Sequence, residues 1–214
     1  MKYPRTKHLF FSPGTTNDDK KASAEEVDNL LNKKVVITEK LDGSNSAITK
    51  NGVYSRSHAV YTQNPWDKPI WDIHSKICQS INENDYIFGE NMYGIHSIEY
   101  NDLKTFFYTF GIRRYKLWLS FELVSKISSN LGLTPVPVLY EGTFKTRDKL
   151  KNKVEKLVKE KSVLGGEREG IVIRLADSFL DDEFGKNVFK WVREDHVTTD
   201  KHWSKDWKKA KLNI

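Results

Sequence analysis

Residues 35–45 read VVITEKLDGSN, and they give the sharpest local signal in the chain: a strand that ends in a lysine and a turn. The β-branched run at 35–37 favours a strand, while Gly43 permits a tight turn and the close approach of a ligand to the backbone. Lys40 leaves the strand just before that turn. Because burial disfavours the charged ammonium, we expect the pKa of Lys40 to be lowered, which a lysine nucleophile requires.

Carboxylates flank this lysine on both sides. Glu39 and Asp42 bracket Lys40 and could hold a metal or orient a substrate. Taken alone, a lysine followed by aspartate and glycine is also an ordinary hairpin turn with charged flanks, so the segment by itself does not decide the function.

The remaining patterns predict strands interrupted by a few helices. Apolar residues at helical spacing predict helices over 70–81, 123–131 and 150–158, the second of them capped by Ser120. Short β-branched or aromatic runs predict strands at 86–90, 105–112, 136–140, 170–175 and 188–192. Residues 1–23 are predicted to be coil. This order favours an α+β fold with largely antiparallel sheets over a doubly wound parallel fold.

Length and composition limit the possible classes. A chain of 214 residues with 12% aromatics fits one large domain and excludes wholesale disorder. A single cysteine, Cys78, excludes an intramolecular disulfide framework and a Cys-rich zinc site. The apolar runs are too short for a bilayer and no secretory signal is visible, so we expect an intracellular, cytoplasmic protein without membrane contact. The net charge of +6 favours anionic partners.

Further motifs follow the lysine segment in a fixed order. They are Ser55-Arg56-Ser57, Phe88–Gly94, Phe107–Ile112, Arg168–Ile173 and Val188–Arg193. In this order the chain resembles the covalent nucleotidyltransferase superfamily of polynucleotide ligases and mRNA capping enzymes. Glu-Lys-x-x-Gly-Ser-Asn at the nucleophile resembles RNA ligases of the bacteriophage RNA ligase 2 type. The run from Lys190 to Trp203 is similar to a group of viral, bacterial and animal RNA-ligase-like proteins.

The resemblance implies an ATP-dependent RNA ligase that uses Mg²⁺ or Mn²⁺ and joins 5′-phosphate and 3′-hydroxyl RNA ends. By that resemblance, Lys40 attacks the α-phosphate of ATP and carries AMP as a phosphoramidate. The AMP then passes to the 5′-phosphate of the RNA, and a 3′-hydroxyl displaces it. The fold implied is a ligase and capping-enzyme type of nucleotidyltransferase domain, unrelated to ATP-grasp, with antiparallel sheets around an ATP cleft.

The same resemblance assigns roles to individual residues. Lys190 contacts the α-phosphate, Arg56 the ribose or phosphates, and Phe110 stacks on the base. The implied nucleotide-binding set is Glu39, Lys40, Asn45, Arg56, Glu90, Phe110, Glu169 and Lys190, and the implied metal ligands are Asp42 and Glu169. From the residues alone, the two strand-end glutamates and Arg56 could equally face water, and Phe110 could equally belong to the core.

The chain departs from the family pattern in two motifs. The last motif usually carries two lysines flanking one residue, but Val188 and Val192 occupy the positions two away from Lys190. Lys186 or Arg193 is therefore expected to supply the second phosphate contact, if there is one. Position 111, often aspartate in related ligases, is glycine, so a carboxylate that orients the base is expected to be absent.

The expected organisation is an N-terminal extension (1–33) that packs on the domain, a nucleotidyltransferase domain (34–200) and a basic tail (201–214). The flanks are too short for an OB-fold, and a monomer is expected. The tail contains Trp207 and lysines at 205, 208, 209 and 211, and it suits either RNA binding or docking onto the domain. Three alternatives remain: a GTP-using capping enzyme, a DNA ligase, and a non-catalytic nucleotide- or RNA-binding module.

Overall fold

Two sheets face each other and leave a cleft between them. The computed structural model describes residues 2–15, 19–56, 60–194 and 207–214. Its strands are β1 Lys7–His8, β2 Lys34–Lys40, β3 Ser44–Thr49, β4 Gly52–Ser55, β5 Asp85–Asn91, β6 Gly94–Ile95, β7 Phe107–Arg114, β8 Leu117–Trp118, β9 Thr134–Pro135, β10 Val138–Thr143, β11 Gly170–Leu175, β12 Phe179–Leu180, β13 Val188–Val192 and β14 Lys208–Lys209. Its α-helices are α1 Ala24–Val27, α2 Lys68–Ile77, α3 Phe121–Asn130, α4 Arg147–Leu157 and α5 Phe184–Asn187, with 3₁₀ turns at Asp28–Leu30, Pro65–Asp67, Cys78–Ser80 and Asp181–Glu183.

The first sheet runs β1-β13-β11-β2-β10, and the second runs β12-β8-β7-β5-β3-β4 with β9 beside β7. Within the described ranges, β1 with β13 and β7 with β9 are parallel pairs, and the other pairings are antiparallel. Both sheets, as far as the chain is described, stay open, because neither pairs its last strand with its first. This confirms the expected α+β architecture with largely antiparallel sheets.

Helices cover the outer face of each sheet. Strand residues alternate between the two faces, so every second side chain of a strand packs under a helix. On the first sheet, Ile37, Ile171 and Phe189 belong to the same buried cluster as Leu150 and Val154 of α4. On the second sheet, Ile48, Ile87 and Ile112 belong to another buried cluster. That cluster also contains Ile70 of α2 and Val124 of α3. The inner faces are thereby left for the cleft.

Local sequence signals place most elements as predicted. The Ser120 hydroxyl accepts a hydrogen bond from Leu123 N at 3.3 Å and begins α3. Strands β11 and β13 have the predicted bounds. The prediction of coil for residues 1–23 is wrong at β1, because Lys7 and His8 lie alongside Phe189 and Lys190 as an added strand. That pairing joins residues about 180 positions apart, so no local pattern could reveal it.

The described part of the tail docks onto the domain. Lys208 and Lys209 pair with Ile95 and Gly94, and Ala210 N donates to the Tyr93 carbonyl at 2.8 Å. The Trp207 ring lies 5.5 Å from the Tyr93 ring, between centroids. These contacts favour docking of residues 207–214, while Lys205 and the run from His196 to Trp203 lie outside the described residues. No helix of the described chain is long and apolar enough to cross a bilayer.

Candidate active site

A cavity of about 250 Å³ lies between the inner faces of the two sheets. Strand alternation explains which residues of the first sheet enter it. Lys40 lies opposite Gly170, and Val172 lies between Thr38 on one side and Lys190 on the other. The cavity also contains seven of the predicted nucleotide-binding residues, namely Glu39, Lys40, Asn45, Arg56, Glu90, Phe110 and Lys190. Segments far apart in the chain therefore converge on one site.

Lys40 is held by Glu169 across the β2–β11 boundary. The Lys40 ammonium donates to both carboxylate oxygens of Glu169, at 2.5 and 2.6 Å. Burial lowers the pKa of Lys40, but the carboxylates of Glu169, Glu90 and Asp42 raise it by more, so the pKa lies above its usual value. The expectation of a lowered pKa is therefore wrong for the nucleotide-free protein, because it considered burial without the surrounding carboxylates.

Glu90 lines the cavity, and its pKa is raised to about 8. Burial is the main cause, and the charges of Glu169 and Asp42 act in the same direction, while Lys40 opposes the shift. Burial also raises the pKa of Glu169, against the effect of Lys40. A buried acidic cluster of this kind is costly without cations and is typical of a functional site.

Asn45 lies opposite Glu90 on the neighbouring strand β3. Its side-chain oxygen Oδ1 is buried and has no hydrogen-bond partner among the described residues. Buried polar atoms are nearly always satisfied, so an unpaired acceptor that lines a cavity suits a bound ligand.

Asp42 anchors the loop that follows β6. Its Oδ2 accepts hydrogen bonds from the backbone amides of Ser97, at 2.7 Å, and Ile98, at 2.9 Å. Its own amide donates to the Tyr100 hydroxyl at 3.0 Å. Asp42 is absent from the residues that line the cavity, although its charge reaches Lys40 and Glu90. Its assignment as a metal ligand stays a prediction.

Phe110 enters the cavity at a β-bulge. The register of β5 against β7 jumps from Phe88 opposite Gly111 to Gly89 opposite Thr109, which leaves Phe110 unpaired. A bulge of this kind redirects a side chain. Glycine at position 89 allows the close approach of β7 here, because a Cβ would meet the Phe107 ring and the Tyr108 carbonyl. Phe110 is thus directed by backbone geometry as well as by core packing.

The Glu39 carboxylate is held away from the cavity. It accepts a hydrogen bond from Val163 N at 3.0 Å and lies 3.7 Å from the Arg168 guanidinium, and Glu39 is only 2% exposed. Glu39 lines the cavity, so its backbone is the part left for a nucleotide. The predicted role for Glu39 stays a prediction and is narrowed to that backbone.

The cations of the cavity differ in part from those expected. Among the described residues that line it, Lys186 and Arg193 are absent and Arg174 is present. Arg193 instead forms an ion pair with Glu167. Arg174 donates to the Leu119 carbonyl at 2.7 Å, and burial lowers its pKa to about 10. Its position at the end of the apolar strand GIVIRL was a signal that sequence reasoning missed.

Aromatic residues form the other end of the cavity, and the N-terminal segment contributes one of them. The Tyr3 ring lies 5.1–5.6 Å, between centroids, from the rings of Phe88, Phe110, Trp118 and Phe184. Trp118 is 1% exposed, and its indole N–H has no hydrogen-bond partner in the described protein. No local signal marked Tyr3, because its role depends on where the N-terminal segment docks.

One buried carboxylate organises the second sheet behind the cavity. Asp67 is 1% exposed and accepts hydrogen bonds from the side chains of Ser46, at 3.4 Å, Ser55, at 3.2 Å, and Asn91, at 2.8 Å. These donors lie on β3, β4 and β5, and each is the chain neighbour of a cavity residue, namely Asn45, Arg56 and Glu90. Asp67 therefore fixes those strands relative to one another, a role that the sequence did not suggest.

Comparisons with solved structures find the same fold in nucleic-acid ligases. An archaeal ATP-dependent RNA ligase matches with a TM-score of 0.62 at 14% identity, over 90% of this chain and 48% of that one. A putative ATP-dependent DNA ligase from Aquifex aeolicus matches at 0.58 and 17% identity, covering 90% and 50%. A Naegleria gruberi RNA ligase variant, solved with ATP and Mn, matches at 0.57 and 18% identity, covering 90% and 60%. This chain therefore spans roughly half to three fifths of their lengths.

Sequence comparison narrows the fold to one family. A search of curated protein sequences finds no match. The sequence model of the RNA ligase family, in contrast, matches residues 33–192, which include all the cavity residues discussed above except Tyr3. That match covers most of the chain, and it places the lysine segment, the two glutamates and Lys190 within one family pattern. The chain belongs to the RNA ligase family.

Proposed function

We propose that this protein is an ATP-dependent RNA ligase that joins 5′-phosphate and 3′-hydroxyl RNA ends through a covalent lysyl-AMP intermediate. The observation that carries the proposal is the Lys40–Glu169 pair, with Nζ–O distances of 2.5 and 2.6 Å, at a cavity that also contains Glu90 and Lys190. Membership of the RNA ligase family and the fold shared with ATP-dependent ligases support it.

In the first step the Lys40 amine attacks the α-phosphate of ATP. A P–N bond forms, the bond to the leaving oxygen breaks, and pyrophosphate departs. Lys40 must first lose a proton, and Glu169 is in contact to accept it, since burial brings the pKa of Glu169 upward toward that of the amine. Lys190 and Arg56 offer positive charge to the transferring phosphate.

In the second and third steps the AMP moves to RNA and is then released. The 5′-phosphate of an RNA end attacks the phosphorus held on Lys40, and the amine leaves. A 3′-hydroxyl then attacks the activated 5′-phosphate, which forms the phosphodiester and expels AMP. The same cavity cations serve all three steps, because each passes through a charged phosphoryl transition state.

The donor chemistry of the cavity fits a divalent cation. The Glu90 carboxylate and the unpaired Asn45 amide oxygen line the cavity, and the Glu169 carboxylate does not line it but contacts Lys40, which does. Carboxylate and amide oxygens are ligands that Mg²⁺ and Mn²⁺ accept. Among the described residues, no three acidic, His or Cys side chains form a closed metal cage. A Mg²⁺ site built from one or two carboxylates and substrate phosphates has this character. When bound, the ion would neutralise charge on the transferring phosphate.

Labelling with ATP tests the proposal. The wild type, incubated with α-labelled ATP and Mn²⁺, should retain label through a denaturing gel and lose it in acid, because the P–N bond is acid-labile. Lys40→Ala and Lys40→Arg should both fail to label, since a guanidinium stays protonated. Lys34→Ala is the matched control, because Lys34 is on the same strand but is exposed and paired with Glu141. Normal labelling of Lys40→Ala would overturn the proposal.

Two further arms separate the alternatives. Labelling by GTP in preference to ATP would indicate a capping-type guanylyltransferase. Sealing of nicked DNA in preference to RNA with the same ends would indicate a DNA ligase, and absence of labelling by either nucleotide would indicate a non-catalytic module.

A further inference from the structure

The N-terminal segment, which lies outside the region matched by the family model, pairs with β13, the strand that carries Lys190. The family match begins at residue 33, whereas β1 lies alongside β13 with His8 opposite Lys190. His8 N donates to Lys20 O, and Ala22 N donates to His8 O, both at 2.8 Å. The residues from Lys20 to Ala22 therefore run beside β1, on the edge of β1 that faces away from β13.

This segment contributes a carboxylate to Lys190. Asp19 Oδ1 lies 3.1 Å from Lys190 Nζ and 3.2 Å from His8 Nε2. His8 is 1% exposed, and its Nδ1 lies 3.0 Å from the Ser12 hydroxyl, which in turn accepts a hydrogen bond from Val192 N at 3.0 Å. A chain of polar contacts thus orients Asp19 from β13 itself.

Lys190 needs a local anion because it lies in a cationic part of the cavity. Burial lowers the pKa of Lys190, and the charges of Lys40 and Arg56 lower it further. The Asp19 carboxylate raises the pKa of Lys190. The charge of Lys190 also interacts with the Glu169 carboxylate. A lysine that deprotonates would lose its value as a phosphate ligand, since its positive charge is the useful property.

The N-terminal segment is also hydrogen-bonded to the last residue of β13. Gly14 N donates to the Val192 carbonyl at 3.0 Å. The segment that carries Asp19 is therefore held on the strand that carries Lys190 by backbone contacts as well as by the Asp19 side chain.

We propose that Asp19, oriented by His8, is a positioning residue that holds the Lys190 ammonium charged and in place for nucleotidyl transfer. The inference rests on the proposed ligase function and extends it to a part of the chain that the family match does not include.

The pH profile of self-adenylylation tests this inference. In single turnovers with saturating ATP and Mn²⁺, the rate needs a neutral Lys40 and a charged Lys190. Asp19 is not among the main influences on Lys40, so the ratio of the Asp19→Asn rate to the wild-type rate follows the charge of Lys190 alone. That ratio should be near one at low pH and should fall with rising pH to about one tenth or less, because removing an opposite charge within hydrogen-bond distance lowers a lysine pKa by about one unit or more.

Two variants serve as controls. Asp19→Glu retains the charge and should keep the ratio to the wild-type rate near one at every pH. Glu141→Gln removes one carboxylate from an exposed ion pair with Lys34 and should leave the whole profile unchanged.

A titration without nucleotide separates this inference from the ligase proposal. With ¹³C-labelled lysine side chains and the Lys190 signal assigned by Lys190→Ala, NMR should give a lower pKa for Lys190 in Asp19→Asn than in the wild type. An unchanged Lys190 titration and a rate ratio that does not vary with pH would overturn the inference. Faster labelling or tighter ATP binding by Asp19→Asn would also overturn it, because Asp19 would then compete with phosphate. Absence of wild-type labelling would instead refute the ligase proposal.

Discussion

Glu90→Gln should stabilise the nucleotide-free protein while reducing its activity. Glu90 has a pKa of about 8 in the folded chain, raised by burial from 4.5. A raised carboxyl pKa means that the folded state binds a proton more tightly than the unfolded state. The stabilising contribution of protonated Glu90 is therefore complete below about pH 4.5 and is lost as the pH rises to about 8.

The magnitude follows from the size of that shift. The ordinary pKa of a glutamate, 4.5, lies 2.5 units below pH 7. Each unit corresponds to about 1.4 kcal/mol. Ionisable Glu90 thus costs about 3 kcal/mol of folding free energy at pH 7 relative to a neutral side chain of the same shape. Glutamine is such a side chain, so the variant should gain up to about that amount.

Urea denaturation in a metal-chelating buffer, at pH values from 5 to 9, measures this effect. The difference in unfolding free energy between Glu90→Gln and the wild type should grow with pH up to about 8 and then level off. Glu141→Gln, an exposed carboxylate, should change stability by no more than about 1 kcal/mol. A difference for Glu90→Gln that does not vary with pH, or a variant less stable than the wild type throughout, would refute the reasoning.

The remaining predictions concern the cations, the tail and the carboxylate behind the cavity. Lys190→Ala should lower the rate of self-adenylylation by about 10²–10³ without unfolding the protein, because it removes a phosphate-stabilising charge; a wild-type rate would reassign that role to Arg56 or Arg174. Deletion of 207–214 should lower the melting temperature and reduce adenylylation and sealing together, because Trp207 packs on Tyr93; loss of sealing alone would instead favour RNA binding by the tail. Asp67→Ala should destabilise the fold by roughly 3 kcal/mol or more, measured by urea denaturation, because it leaves several buried donors unpaired; an unchanged unfolding midpoint would contradict it.

The α+β class, most strands and helices, and seven of the cavity residues could be predicted from the sequence. Those features follow from local rules. Alternation along β2, β11 and β13 brings Lys40 and Lys190 to one face, as the observed register has it. The order of the motifs along the chain then allowed a family resemblance.

Three features of the site depend on contacts between residues far apart in the chain, and local patterns could not reveal them. The direction of the Lys40 pKa required the positions of three carboxylates as well as burial. The entry of Phe110 into the cavity required the β-bulge between β5 and β7, which is a mismatch between two strands rather than a property of either. The contribution of Tyr3 and Asp19 required the N-terminal segment to pair with β13, and the energy of such a pairing comes from packing that no local pattern contains.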